Sequence, residues 1–420
     1  MKEKAVVAGL SADCMDIDER STEESLDELE ALLETAGGVS RGRLLQNRAA
    51  PDPHSFIGEG KVRELKDLIV SEDCSLAVFD NELSPSQIRA LSDELGVRVI
   101  DRSSLILDIF AQRAKTHEGR LQVELAQYKY LLPRLTGMWT HLVRQTAGGG
   151  TSPIGTRGPG ETQLETDRRH IRRKIQKLEE EIDSVRKVRS TQRRMREKNG
   201  VPVVALVGYT NAGKSTVLNY LTGSDIDAND RLFDTLDTTT RRLRISPTTE
   251  ILLSDTVGFI RKLPHHLVDA FKATLEELAY ADLLIHVVDV SNSEWQSQSE
   301  VVERLITQLG AEKKPRITAY NKCDVYTGET PPRSSDSVRI SAKTGEGMDE
   351  LIKKMCEILE HGRRRVVLGL PYSKGHILEK LHSDSSVIRT EYLDACIKVE
   401  AIVSPETYGR ILEFIIEAGT

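Results

Sequence analysis

One stretch limits the architecture of this chain more than any other: Val201-Pro202-Val203-Val204-Ala205-Leu206-Val207-Gly208-Tyr209-Thr210-Asn211-Ala212-Gly213-Lys214-Ser215-Thr216. An apolar strand over residues 203–207 runs into a glycine-bounded turn and then into a helix starting near Lys214, with the G-x-x-x-x-G-K-[ST] spacing of a phosphate-binding loop. The chemistry demands that order. Backbone N–H groups of the turn and the positive end of the following helix surround an anionic oxygen cluster, and only small residues let the backbone come so close. Lys214 then reaches the β- and γ-phosphates, and the Ser215 hydroxyl is the expected magnesium ligand. The competing reading is a chance glycine turn. It would not place strand, loop and helix where the phosphate contacts need them.

The choice of nucleotide is made downstream, at Asn321-Lys322-Cys323-Asp324, an N-K-x-D quartet after an apolar strand at 316–320. A carboxylate at Asp324 can accept two hydrogen bonds, from the N1–H and the exocyclic amine of guanine, a donor pair that adenine lacks. Ser341-Ala342-Lys343 resembles the S-A-K loop that closes over the same base in GTPases. Between these lies Asp255-Thr256-Val257-Gly258, a D-x-x-G at a strand end. There the aspartate can hold magnesium through water and the Gly258 amide can sense the γ-phosphate. Each short motif alone is common; four in this order are a strong signal for GTP, with Lys214 and Gly258 carrying hydrolytic roles. Phe259 stands where Ras-like GTPases carry the glutamine that orients the attacking water. Slow hydrolysis by the chain alone, stimulated by a partner, is therefore expected.

A length of 420 residues suggests two to four domains, and 39% hydrophobic with 29% charged residues is the composition of a soluble globular protein. No apolar run approaches the roughly 18 residues that span a bilayer, and the run at 5–10 is too brief for a secretion signal. The five cysteines stand far apart with no C-x-x-C pair, which argues against a disulfide framework or metal ligation and for a cytoplasmic setting. The net charge of −7 hides a segregation: residues 168–198 hold 13 Lys and Arg against 5 Asp and Glu, a surplus of +8 that leaves −15 elsewhere. An acidic body with one basic arm points to a polyanionic partner, the alternative being a solvated helix face.

The expected fold class is α/β multidomain. Residues 1–110 alternate strand and helix and read as a small α/β domain with a parallel sheet. The Phe56-Ile57-Gly58-Glu59-Gly60-Lys61 corner lacks a full nucleotide-loop pattern and reads as a plain turn. Residues 111–199 change character, with heptad spacing at Leu121, Leu125, Tyr128, Leu132, Leu135, Trp139 and Leu142. Leu164, Ile171, Ile175, Leu178, Ile182 and Val185 answer it, so an antiparallel helical hairpin with a glycine-rich tip is expected, kinked or locally broken at Pro133. The second helix, if unbroken, reaches roughly 57 Å at 1.5 Å per residue. Residues 200–361 form the GTPase domain with a mostly parallel sheet. Residues 362–420 read as a small α+β domain in the order β-α-β-β-α, ending on a helix over 405–417.

The hairpin tip, Gly155-Thr156-Arg157-Gly158-Pro159-Gly160-Glu161-Thr162-Gln163, followed by L-E-T-D-R-R and ahead of G-Y-T-N-A-G-K-S, closely resembles the HflX GTPases. The resemblance covers nearly the whole chain. It implies a ribosome-associated GTPase that binds the large subunit and its rRNA, reaches toward the peptidyl-transferase centre with this tip, and splits or rescues stalled ribosomes. It also implies that Phe233-Asp234-Thr235-Leu236-Asp237 is switch I, with Thr235 a magnesium ligand and catalytic participant. This chain departs from the family at Thr238, commonly proline, and in the extra Thr151-Ser152-Pro153 of the tip. Gly155, Arg157, Gly158 and Gly160, with the basic Arg168, Arg169, Arg172 and Arg173 behind them, are the expected RNA contacts. A backbone with few side chains can enter a narrow RNA cleft. The loop also resembles that of potassium-dependent GTPases, which would place K+ at Asn211. A monomer is expected, without membrane insertion. The alternative function is a GTP-switched ribosome-binding or assembly module in which hydrolysis only resets the cycle.

Overall fold

The computed structural model describes residues 2–146, 159–198, 201–224, 232–233, 239–247, 249–264, 267, 278–326, 328, 334–359, 364–393, 395–403 and 405–418. The chain divides into two compact units. The first comprises Met1–Val185 with the segments Asn229–Asp237 and Ile260–Lys272; the second comprises Arg186–Ala228, Thr238–Phe259 and Ala273–Thr420.

In the first unit, β1 (Lys4–Ala12), β2 (Val39–Arg48), β3 (Leu76–Phe79) and β4 (Arg98–Asp101) form a parallel sheet in the order β2-β1-β3-β4. Strands β1 and β3 are almost continuously apolar and buried because helices cover both faces of such a sheet. The helices are α1 (Glu23–Thr35), α2 (Glu59–Ser71) and α3 (Pro85–Leu95). Capping boxes at Thr22/Ser25 and Ser84/Gln87 start α1 and α3 by satisfying orphan backbone donors. A further helix, α4 (Arg102–Arg113), was not expected from the sequence. It follows β4 directly, with the Asp101 carboxylate accepting from the Ser104 N–H as its N-cap.

Helices α5 (His117–Thr146) and α6 (Pro159–Lys198) form the hairpin. Leu121, Leu125, Leu178 and Ile182 pack as one apolar cluster with Tyr128 and Ile175 against it, the heptad positions that the sequence marks. The pairs Lys129–Glu179 at 2.9 Å and Lys174–Tyr128 at 2.8 Å bridge the two helices. Pro133 lies inside α5, which runs through it without a break. Tertiary contacts on either side hold the helix. Tyr130 donates to Asp101 at 2.7 Å, and the Arg134 guanidinium lies 3.5 Å over the Tyr130 ring while donating to Asp101 at 3.0 Å.

In the second unit, β5 (Val203–Gly208), β6 (Thr239–Arg244), β7 (Glu250–Asp255), β8 (Leu283–Asp289), β9 (Arg316–Asn321) and β10 (Ser337–Arg339) form a sheet in the order β10-β9-β8-β5-β7-β6. Only the edge pair β6–β7 among these is antiparallel. Helices α7 (Lys214–Thr222), α8 (Trp295–Gln308) and α9 (Met348–Leu359) accompany it, and one apolar core runs from Val204 and Leu206 through Ile285 and Ile317 to Leu351. Strand β8 also buries His286, whose Nδ1 lies 3.4 Å from the Glu303 carboxylate. Burial holds this imidazole below its ordinary range, only partly opposed by Glu303. A depressed folded-state value means that the unfolded chain takes up the proton first, so stability is full above the unfolded value of about 6.5 and falls as pH drops through it. In denaturant titrations, the midpoint is expected to fall between pH 7.5 and 5.5, and His286→Gln should shrink that fall. An identical fall in both proteins would assign it to other groups.

The last part of the second unit contains β11 (Arg364–Leu370), α10 (Gly375–Asp384), β12 (Ser386–Tyr392), β13 (Ile397–Val403), α11 (Pro405–Ile411) and β14 (Ile415–Ala418), with antiparallel sheet order β12-β13-β11-β14. The final helix expected over 405–417 instead stops at Ile411, and after a 3-10 turn the chain pairs with β11 as a fourth strand. The β-branched Ile415 and Ile416 favour that extended pairing over more helix.

Candidate GTP-binding site

Gly208, Asp255, Asp289 and Asn321 close β5, β7, β8 and β9, and Ser341 follows β10. These five strands run parallel as successive neighbours in the sheet, so their loops emerge along one carboxyl edge, where open α/β sheets bind ligands. Sheet order is thus what brings motifs more than a hundred residues apart to one place.

The loop from Gly208 to Gly213 leaves β5 and enters α7 through Gly213 at φ +91°, left-handed backbone that glycine tolerates. A Cβ at Gly213 would lie 2.3 Å from Asn321 Nδ2, so the close approach of these two motifs requires glycine. Asn321 ties three loops together. Its Nδ2 donates to the Ala212 carbonyl at 2.9 Å, and its Oδ1 accepts from the Ala342 N–H at 3.0 Å. The asparagine of N-K-x-D therefore positions the phosphate loop and the S-A-K loop, a role that spacing alone did not reveal. Lys322, at φ +64°, pairs with Asp289 at 2.7 Å. Asp324 is exposed in the turn that follows, Cys323 is half-buried, and the Cys323 N–H donates to Ile340 at 3.2 Å. Ser341 is fully buried and its hydroxyl accepts from the Thr344 N–H at 3.2 Å, shaping the loop that leaves Lys343 exposed.

At the phosphate end, Lys214 is 6% exposed and its Nζ donates to the carbonyls of Gly208 at 3.2 Å and Tyr209 at 2.8 Å. Burial pulls this ammonium down to about 8, against the upward pull of the Asp255 carboxylate. The Ser215 hydroxyl donates to Asp255 Oδ2 at 2.6 Å, so the two oxygens expected around magnesium sit side by side. A hydroxyl and a carboxylate are the hard oxygen donors that this cation takes. Thr256 donates to the Leu206 carbonyl at 2.6 Å and fixes the start of the D-x-x-G loop on β5. The buried Thr210 hydroxyl has no hydrogen-bond partner among the described residues, a polar group suited to an anionic oxygen. Asn211 is exposed at φ +61° and Thr216 half-buried. Phe259 is 1% exposed and bridges to Tyr209 as a short parallel pairing, so it serves as a plug beside the loop.

Of switch I, only Phe233 lies within the described residues; Asp234, Thr235, Leu236 and Asp237 lie outside them, as do Gly155, Arg157 and Gly158 of the tip. Gly160 belongs to the first turn of α6, and along that helix Arg169, Arg172 and Arg173 are exposed while Arg168 is half-buried. Among the described residues no helix is long and apolar enough to cross a membrane.

Three family models match successive parts of the chain: "GTP-binding GTPase N-terminal" over 23–111, "GTP-binding GTPase Middle Region" over 113–196 and "50S ribosome-binding GTPase" over 203–322. GTPase HflX of Caldanaerobacter subterraneus subsp. tengcongensis is 46% identical over 99% of this chain and 94% of that protein. GTPase HflX of Escherichia coli K12 is 44% identical over 86% of this chain and 84% of that protein. A crystal structure of a GTP-binding protein from Sulfolobus solfataricus in complex with GDP aligns at 25% identity with a TM-score of 0.44, covering 86% of this chain and 99% of that one. An N-K-x-D quartet, a G-x-x-x-x-G-K-S loop and a D-x-x-G on one sheet edge, in a chain so similar to the two HflX proteins along its length, lead to one conclusion: it belongs to the HflX family of GTPases, which bind and hydrolyse GTP.

Proposed function

We propose that this GTPase works on the large ribosomal subunit and splits or rescues stalled ribosomes, with GTP hydrolysis timing its release. The observation that carries the reading is the hairpin: a 40-residue α6 with exposed arginines at 169, 172 and 173, led by the glycine-rich tip, in a chain whose residues 203–322 match the 50S ribosome-binding GTPase model. In this reading Arg157 and the tip backbone meet rRNA phosphates, and Arg168, Arg169, Arg172 and Arg173 supply the long-range attraction. Bound Mg2+ would be held by Ser215, by Asp255 through water and by Thr235 of switch I and would offset phosphate charge, and Asn211 would be the contact for K+. The chain is divided by role, with 1–110 and 362–420 flanking a hairpin at 111–199 that acts and a domain at 200–361 that decides when.

Replacing residues 155–160 by a serine-rich segment of equal length tests this. GTP affinity is expected to survive, while subunit splitting, followed by sedimentation, should fall at least tenfold. Full splitting by that variant would reduce the tip to a linker.

A further inference from the structure

We propose that Asp289 is a positioning residue for the guanine base: by holding the Lys322 ammonium, it keeps the lysine stem in place beside the turn where Asp324 reads the base edge.

The loop that follows β8 carries none of the nucleotide motifs, yet it is bonded along the N-K-x-D quartet. Strands β8 and β9 are parallel neighbours whose last residues, Asp289 and Asn321, stand in register, and Lys322 is the first residue beyond them. The Val290 N–H donates to the Asn321 carbonyl at 3.2 Å, which extends the pairing past the strand ends. Asp289 Oδ2 takes the Lys322 ammonium at 2.7 Å. Its Oδ1 accepts from the Ser291 N–H at 3.0 Å and from the Ser291 hydroxyl at 2.5 Å. One carboxylate oxygen is thus committed to its own loop and the other to the lysine.

The loop is braced in turn. Asn292 Oδ1 accepts from the Glu294 N–H at 2.8 Å and the Asn292 carbonyl accepts from the Trp295 N–H at 3.2 Å, a local turn that joins the loop to the start of α8. The Trp295 ring meets Tyr320 of β9 edge-on at 5.7 Å. A carboxylate fixed in this way does not follow the lysine; it holds it. The Asp289 side chain is 13% exposed, so water and salt screen the pair only in part.

Lys322 itself has little freedom left. Its backbone is left-handed at φ +64°, an arrangement strained for a residue with a Cβ and kept only where the surroundings fix it. On one side Asn321 bonds the Ala212 carbonyl and the Ala342 N–H, and on the other the Cys323 N–H donates to Ile340. The backbone is pinned at both ends, and the ion pair pins the side chain. Asp324 reads only the edge of a base, whereas a purine also has two apolar faces. A lysine whose head is paired lends its methylenes as apolar cover for such a face. If the stem is already ordered, the base does not have to order it on binding; a free stem must be immobilised at that moment. That cost falls on GTP and GDP alike, because they share the base, and leaves the phosphates untouched.

The test uses the full-length protein without ribosomes, so it stands apart from any action on them. Dissociation constants with Mg2+ are measured for GDP, a non-hydrolysable GTP analogue and base-free inorganic tripolyphosphate, the last by competition with labelled GDP. The proteins are the wild type, Asp289→Asn, Ser291→Ala, Lys322→Met and the double variant Asp289→Asn/Lys322→Met. Asp289→Asn should weaken GDP and the analogue by the same factor, roughly threefold to tenfold, the scale of ordering one long side chain on binding. Tripolyphosphate should change by less than about twofold, since it has no base to lose. Ser291→Ala, which removes one brace from the carboxylate, should act in the same direction by less. In the Lys322→Met background, Asp289→Asn should add less than about twofold, because a residue that works through the lysine then has nothing to hold. The proposal is overturned by unchanged GDP affinity in Asp289→Asn, or in Ser291→Ala should the first variant not fold. An equal loss for tripolyphosphate, or a full effect of Asp289→Asn in the Lys322→Met background, also overturns it. A purely structural role would weaken all three ligands together and lower the melting temperature.

Discussion

Asp324→Asn is expected to weaken GTP binding by about 3 kcal/mol, roughly 150-fold, while GTP-independent properties such as the melting temperature change little. The side chain is exposed in its turn, so its removal disturbs no packing. The loss comes from two hydrogen bonds to an ionised acceptor, each contributing about 1.5–3 kcal/mol. An asparagine amide can instead donate to the extra carbonyl of xanthine, so the variant should prefer xanthosine triphosphate. Competition of the two nucleotides against a labelled GDP would show the exchange. Unchanged GTP affinity would move base recognition away from this loop.

Lys214→Met should reduce GTP hydrolysis by about 10^2- to 10^3-fold, the scale of losing one preorganised donor to transition-state charge. The buried ammonium, already desolvated and turned toward the loop carbonyls, needs little further dehydration to meet the phosphates. A pH effect accompanies it. With burial drawing Lys214 to about 8 and phosphates favouring its charged form, GTP affinity should be constant below that value and decline as pH rises through it. The methionine variant should lack this decline. A wild-type affinity that is flat from pH 7 to 9.5 would mean that the lysine stays fully charged without nucleotide.

The parallel sheet of the first unit was legible in its strands, since buried parallel strands must be apolar on both faces, and the hairpin in the heptad positions from Leu121 to Ile182. The phosphate loop was legible because strand, turn and helix are contiguous. That α5 runs unbroken through Pro133 was not legible, because local propensity ignores Tyr130 and Arg134, whose contacts hold the helix on either side of it. Strand β14 was hidden because Ile411, Leu412, Phe414, Ile415 and Ile416 have no clear period, and only the free edge of β11 makes extension favourable.

By itself, then, the sequence determined the nucleotide chemistry: contiguous motifs specify their backbone, and the residues of N-K-x-D, D-x-x-G and G-x-x-x-x-G-K-S carry their donors and acceptors wherever the chain places them. Tertiary structure decided what these motifs touch. Asn321 became the tie between two loops because β9 and β5 lie on either side of β8. Lys322 met Asp289 because β8 and β9 are parallel neighbours that end in register. Neither partnership leaves a trace in local spacing, since the free energy of a buried polar contact depends on the surroundings that folding assembles.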